Sequence, residues 1–401
     1  MPWRESCAMD ERVEFIGEWL AGLSSVVDLA DRYGISRKTA YKWIGRYREA
    51  GPAGLRERSC APLEHGGATA PELVEAILQQ KEARPCWGPL KIVAKLSQLR
   101  PGEAWPAPST VGEILKRAGL VRPRRRRHRA PPTLGGLTLA ERANHVWAVD
   151  HKGWIRLGDS GRCEPLTVSD SYSRFLIALA ACEGTGGAQA RPVFERAFED
   201  YGLPETIRSD NGSPFASAGV TGLTALGVWW AKLGIRHERI APGRPQQNGR
   251  HERFHLTLKE AMEPPPPDRA AQAARFEAFR SDYNEERPHQ ALGQTAPARH
   301  YQASPRPMPT KLPEPDYPAH ADIRRVRSNG EIKWAGGTLY VSEALIGELV
   351  AIEETQDGEL QMRFHAKPLA IIDTSQKRLR RLGVPARGHA QPSKVSPDYP
   401  V

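Results

Sequence analysis

The residues of this 401-residue chain that could do chemistry together are three widely separated acids, Asp150, Asp210 and Glu252. Asp150 closes the run His145-Val146-Trp147-Ala148-Val149, which reads as a buried strand ending on a carboxylate. Asp210 follows Thr206-Ile207-Arg208-Ser209 and precedes Asn211-Gly212, a short strand that stops at a turn. Glu252 lies in Gln246-Gln247-Asn248-Gly249-Arg250-His251-Glu252-Arg253-Phe254, the opening of a helix. Singly, each is explained as a turn residue or a helix surface charge. Jointly, two strand-end aspartates and a helical glutamate can hold two divalent cations about 3.5–4 Å apart, which clamp both oxygens of an in-line phosphoryl displacement. Mg²⁺ is the expected ion, with Mn²⁺ able to substitute, because oxygen ligands and retained waters suit it and three carboxylates suffice. Asp150 would bridge the ions, with Asp210 and Glu252 completing one shell each. Lys259, seven residues or about two turns beyond Glu252, faces the same way and could hold a substrate phosphate. Asp159 and Asp170 sit in turn sequences that account for an aspartate and stay outside the set.

The elements that must position these acids are strands followed by helices. Three strands, Trp154-Ile155-Arg156-Leu157 and Pro165-Leu166-Thr167-Val168 around the turn Gly158-Asp159-Ser160-Gly161, then Phe175 to Ala181, precede an amphipathic helix from Arg191 to Tyr201. The strand to Asp210, a helix through Val228-Trp229-Trp230, an extended segment near Ile235–Ile240 and the helix of Glu252 follow. On that last helix Phe254, Leu258 and Met262 form the stripe that must be buried. This is an α/β, ribonuclease-H-like layout over residues 140–300. Four consecutive prolines between Glu263 and Asp268 break the helix before another over 269–287.

The flanks are of other classes. Residues 10–55 read as three helices. Ser24-Ser25 and Ser36 are caps, and Gly34 lies in the turn, which is the pattern of a helix-turn-helix. Its second helix would enter the major groove, with Arg37, Lys38, Thr39, Tyr41 and Lys42 as base and phosphate contacts. Residues 69–121 read as a second helical, helix-turn-helix-like DNA-binding unit. Pro71 opens its first helix, and Ser109-Thr110 is expected to cap its last. Residues 122–136 form a basic linker, in which Arg124, Arg125, Arg126 and Arg127 are expected on phosphates. After a proline-rich linker, 301–319, short alternating strands over 320–375 with Asn329-Gly330 and Asp357-Gly358 turns suggest a small all-β barrel of SH3 type. Residues 376–401 read as a disordered basic tail.

Charge follows the same division. The net charge is +10, yet residues 1–130 hold 23 basic against 15 acidic groups, while residues 137–300 hold 20 of each. A basic front on a neutral core suggests that the front grips a polyanion. Five scattered cysteines argue against a disulfide scaffold or structural zinc. No apolar run is long enough to span a membrane, and no signal-peptide layout opens the chain, so a cytoplasmic, nucleoid-associated protein is expected.

The segments Trp147-Ala148-Val149-Asp150, Ser209-Asp210-Asn211-Gly212-Ser213-Pro214-Phe215, Gln246 to Arg253 and Tyr283-Asn284-Glu285-Glu286-Arg287-Pro288-His289-Gln290-Ala291-Leu292, in that order, resemble DDE transposases of bacterial insertion sequences with a retroviral-integrase catalytic core. They look closest to the insertion sequence 481 group, a relative of the insertion sequence 3 group. Between Asp210 and Glu252 lie 41 residues, more than retroviral cores typically carry, and the surplus is expected in Ala216 to Thr224. The resemblance implies Mg²⁺-dependent cleavage at element ends and strand transfer into target DNA. It also implies a homo-oligomer on paired ends and recognition of terminal inverted repeats in double-stranded DNA by the N-terminal domains. Two other readings stay open: a catalytically silent repressor that binds the element, and a hydrolytic nuclease on the same fold.

Overall fold

Two serines decide where the second and third helices of the first unit begin. Ser25 accepts from the Asp28 amide at 3.2 Å and starts α2 (Val26–Arg32); Ser36 accepts from the Thr39 amide at 3.2 Å and starts α3 (Arg37–Ala50). With α1 (Ala8–Ala21) they close around Phe15, Ile16, Leu29, Ala40, Trp43, Ile44 and Leu55. The computed structural model describes residues 7–58, 68–121, 136–244, 247 and 249–382, and within 249–261 it leaves out the side chains of Arg250, Glu252, Glu260 and Ala261. Arg124, Arg125, Arg126 and Arg127, expected on phosphates, lie outside the described residues. The chain divides into two compact units, residues 1–69 and 70–401.

In the second unit, prolines open three helices: α4 (Pro71–Ala83), α5 (Pro89–Leu99) and α6 (Pro108–Arg117). Proline suits a first helical position, where its missing N–H has no partner to lose. Pro108 thereby corrects the expected start of α6: Ser109 and Thr110 lie inside its first turn rather than capping it. The three helices share Ile77, Trp87, Ile92, Leu96, Val111, Ile114 and Leu115 as a core.

Alternation along β1 (Val146–His151) sets the architecture that follows. Trp147 and Val149 turn to one face of the sheet, Ala148 and Asp150 to the other. β2 (Ile155–Arg156) pairs with the start of β3 (Arg162–Asp170), and β3 runs antiparallel to β1, with Asp150 opposite Thr167. β4 (Leu176–Cys182) lies outside β3. After α7 (Gly187–Tyr201), which starts earlier than the expected Arg191, β5 (Thr206–Ser209) pairs parallel to β1. Next come α8 (Ala225–Lys232) and β6 (Arg236–Arg239), parallel to β5 at the far edge. The face of Trp147 and Val149 packs under α7 and α8 through Phe194, Phe198, Trp229 and Trp230. The other face carries α9 (Gly249–Ala261) and α10 (Arg269–Ser281) through Phe254, Leu258, Met262 and Phe276, so the expected stripe is buried.

Residues 301–312, expected as part of a linker, are instead laid across this core. Tyr301 stacks on Phe175 at 4.2 Å, the Leu203 amide donates to the Arg306 carbonyl at 2.7 Å, and Met308 and Leu312 pack on the cluster beneath α7. Gly202 admits the strap: a Cβ there would stand 2.7 Å from the Ser304 carbonyl oxygen, and its φ is +74°. The strand-rich remainder is all-β. β7 (Asp322–Arg325), β10 (Leu349–Glu354), β11 (Leu360–Phe364), β12 (Lys367–Asp373) and β13 (Arg378–Arg380) form an antiparallel sheet in the order β13-β12-β11-β10-β7. β8 (Glu331–Trp334) and β9 (Gly337–Tyr340) add a hairpin over the same core. β13 corrects the expected tail, since pairing with β12 carries the sheet to Arg380; residues 383–401 lie outside the described residues. Among the described residues no helix is long and apolar enough to cross a membrane.

Buried histidines tie this fold to pH, His237 and His289 among them. Burial, with Lys367 and Arg239 nearby, pushes His237 down to about 3; burial, with Lys91, Arg287 and Arg174, does the same to His289. Both stay neutral in the fold at pH values where the unfolded chain, titrating near 6.5, already binds protons. Stability present above pH 6.5 is therefore lost as pH falls towards 3, at up to about 1.4 kcal/mol per pH unit for each histidine. Urea midpoints at pH 7 and pH 5 measure it. The fall should shrink in His237→Gln, and equal midpoints would show that these imidazoles are not held neutral.

Candidate active site

Asp150 and Asp210 stand at the same end of two neighbouring parallel strands. The register pairs Ala148 with Arg208; Asp150 follows two residues later in β1, and Asp210 two residues later, just past the end of β5. The Asp210 carboxylate accepts from the Gly212 amide at 3.0 Å, which closes the turn after β5. A Cβ on Gly212 would crowd Asp210 Oδ2 at 3.0 Å, which explains the glycine two residues on.

The helix of Glu252 is seated beside Asp150 by a polar clamp. Thr167, the register partner of Asp150, donates its hydroxyl hydrogen to the Asp150 carbonyl at 2.9 Å. The same oxygen meets Nε2 of His251 and, at 3.0 Å, Nε2 of His255. A hydroxyl has one hydrogen and two lone pairs, so both imidazoles must donate from Nε2. Their Nδ1 atoms are then acceptors, and Ser169 donates to that of His251 at 3.2 Å. Burial agrees: it holds His251 well below its ordinary value and His255 at about 4. Both rings are neutral near pH 7 and add no positive charge to the site.

The chemistry of the donor set suits a hard cation. Nδ1 of His255 faces Oδ2 of Asp150 at 3.9 Å, two electron-rich atoms whose approach favours positive charge beside them. Asp150 and Asp210 offer oxygens only, as Mg²⁺ requires. Among the described residues no three of His, Cys, Asp and Glu gather as a metal cluster, and the side chain of Glu252 is not among those described. The backbone of position 252 lies in α9, one residue after His251 and three before His255. Lys259 is exposed in the last turn of α9.

Asp170, set aside as a turn residue, is buried at the opposite end of the strand pair, facing Trp147. It accepts from the Asn144 and Ser173 amides at 2.9 and 2.7 Å and from the Ser173 hydroxyl at 2.6 Å, a structural knot remote from Asp150. In the first unit Arg37, Lys38, Tyr41 and Lys42 are exposed on α3, whereas Thr39 is half-buried with its hydroxyl 2.9 Å from that of Ser36. Thr39 thus serves the cap. The clamp residues Thr167, Ser169, His251 and His255 escaped the sequence reading. Their signal was present: two polar residues two apart in an apolar strand, and two histidines four apart on one helix.

Residues 140–245 and 233–297 match models described as integrase core domain, residues 39–115 a homeodomain-like domain and residues 11–61 a helix-turn-helix domain. The chain is 31% identical over 188 residues to an uncharacterized 31.7 kDa protein of insertion element IS407 from Burkholderia multivorans, covering 46% of this chain and 65% of that protein. It is 31% identical over 181 residues to an uncharacterized 39.2 kDa protein of insertion element IS476 from Xanthomonas euvesicatoria, covering 45% and 50%. The match therefore spans less than two thirds of either relative. Among solved structures, the HTLV-2 integrase catalytic core domain in complex with magnesium aligns with a TM-score of 0.33 at 16% identity, over 41% of this chain and all of that one. The chain thus carries an integrase core of ribonuclease-H-like fold behind helix-turn-helix domains, and it is related to proteins of bacterial insertion elements.

Proposed function

We propose that this protein is a DDE transposase, nearest by its motifs to the insertion sequence 481 group, which cleaves insertion-sequence ends and joins them to target DNA. Asp150, Asp210 and Glu252 hold its divalent metal. The observation that carries the reading is the clamp: two strand-end aspartates lie side by side, and the helix bearing Glu252 is pinned by two neutral histidines to the register partner of Asp150. Bound Mg²⁺, or Mn²⁺ in its place, supplies charge neutralisation at the attacking and leaving oxygens. The chain's own part is positional. The carboxylates fix where that charge sits, the neutral histidines leave it uncontested, and the Thr167 hydroxyl keeps helix and sheet from sliding. Arg37, Lys38, Tyr41 and Lys42 on α3 read and grip the terminal inverted repeats, Lys259 holds a phosphate near the acids, and the protein works as a homo-oligomer on paired ends.

A strand-transfer assay with a pre-cut element end, a supercoiled target plasmid and Mg²⁺ or Mn²⁺ tests this directly. Asp150→Asn, Asp210→Asn and Glu252→Gln should each abolish cleavage and joining while end binding survives. Loss of binding as well would assign the acids to the fold. Tight end binding with no joining by the unaltered protein would favour a repressor, and nicking without joining a nuclease.

Two further variants separate grip from geometry. Arg37→Ala with Lys38→Ala should weaken end binding in a gel-shift titration; unchanged binding would move recognition to residues 69–121. Thr167→Val keeps the shape but strips both histidines of their acceptor, at about 1–3 kcal/mol of stability. Joining should fall at least tenfold with DNA affinity unchanged, since misplacement of about 1 Å can cost 10²-fold. Full joining activity would show that the clamp does not position the helix.

A further inference from the structure

The run from Tyr283 to Leu292 supplies no group to the acid site, yet it touches both α9 and the α4–α6 unit. At its start α10 gives way to a single π turn, Asp282–Glu286. Such turns are rare and are frequent at functional positions. This one sends two side chains inwards and two outwards. Inwards, Tyr283 is buried and meets Phe254 of α9 edge-on at 5.2 Å. Beside it the buried Asn284 accepts from the Leu176 amide at 2.7 Å and donates to the Leu176 carbonyl at 3.0 Å, which ties the turn to β4.

Outwards, the turn meets the α4–α6 unit. Asp282 pairs with Arg84 at the end of α4, and Glu286 pairs with Lys95 of α5. Just beyond, Lys91 Nζ donates to the Pro288 carbonyl, and Gln98 Nε2 donates to the Gln294 carbonyl at 3.2 Å. The apolar cluster of α4–α6 and that of α9 and α10 are separate, so the unit is seated on these polar contacts. Partly exposed ion pairs add little net stability and weaken with salt, so the seat can open without unfolding either side. Where α5 and α6 face α9 itself, a cleft of about 480 Å³ stands between them. The path of contacts from the seated unit to α9 thus runs through the π turn.

We infer that residues 282–294 couple the seating of the α4–α6 unit to the position of the helix of Glu252, with Tyr283 and Glu286 as positioning residues for the joining reaction. The inference rests on the functional reading for the reaction it serves. The Thr167 hydroxyl sets how α9 lies along the sheet. Tyr283 bears on Phe254, two residues past position 252, from another side. With the ion pairs made, the turn is held between β4 and α5, and its tyrosine is pressed on α9. With them broken, the turn keeps its grip on β4 but loses its outer wall, and the contact with Phe254 loosens. The geometry of the acid site is thereby made to depend on whether the helical unit is seated.

Hydrogen exchange on the full chain, without DNA or metal, reads the coupling. Lys95→Glu and Glu286→Lys should each speed exchange of the α9 amides from Arg253 to Leu258 by about tenfold, as a local opening does. The amides of Ile77, Ile92 and Ile114, inside α4–α6, should keep their protection. The chain carrying both changes remakes the ion pair with its charges exchanged and should restore α9, which a defect of packing would not allow. In the strand-transfer assay each single variant should lower the joining rate at saturating DNA about tenfold with end binding unchanged, and the exchanged pair should recover it. Tyr283→Phe keeps the ring and should behave as the unaltered protein, whereas Tyr283→Leu should loosen α9; this comparison keeps the test open if a charge variant does not fold. Unchanged α9 exchange in the single variants or in Tyr283→Leu, or defects that the exchanged pair leaves uncorrected, would overturn the coupling. A protein that shows the exchange pattern yet never joins DNA keeps the coupling and defeats only the transposase reading.

Discussion

The Thr167 hydroxyl is the point on which this site depends. It meets the backbone of β1 and both histidines of α9 at once, fixing the distance between the sheet that carries Asp150 and the helix that carries Glu252. Apolar packing of Phe254, Leu258 and Met262 presses α9 onto the sheet but cannot select a register, because burial is non-directional. Hydrogen bonds to a single hydroxyl can. Losing that acceptor would strand two imidazole N–H groups in a dry interior, so any slide of the helix is opposed by desolvation.

The Asp210 side is braced differently. After the turn at Gly212, Phe215 enters the main core, stacked on His151 at 5.7 Å and on Trp230 at 6.2 Å. Farther along, Leu223 is buried with Val228 in the cluster of the C-terminal sheets, and Arg381 donates to the Ala218 carbonyl at 2.9 Å. Lys232 of α8 pairs with Glu348 at 2.8 Å. Residues 218 to 232 thus give the all-β sheets a seat on the core.

Much of this was legible in the sequence, for reasons that differ by element. Strands of the core showed as apolar runs because both faces of the sheet are covered; Ser25 and Ser36 announced their helices because cap chemistry is local. Asp150 and Asp210 were readable as strand-end acids. The clamp was not, because nothing in the spacing of His251 and His255 says which strand lies beneath them. Nor was the strap at 301–312: proline-rich composition argues for a linker, and only the φ of Gly202 and the pocket for Tyr301 reveal that it docks. The docking of α4–α6 on the core was hidden likewise, since Lys91, Lys95 and Arg84 read as ordinary surface charges until their partners nearly 200 residues away are known.

Helical periodicity then gives α9 a division of labour that its sequence alone does not suggest. At roughly 100° per residue, His251, Phe254, His255 and Leu258 form the face on the sheet, while Arg253, Leu256 and Thr257 line the cleft towards α5 and α6. Positions 252 and 259 fall between these faces, on one flank. An acid that is to take a divalent cation is weakened as a ligand by an arginine in contact with it. Setting Arg253 on one face and the neutral imidazoles on the other leaves position 252 on the flank between them, in line with neither.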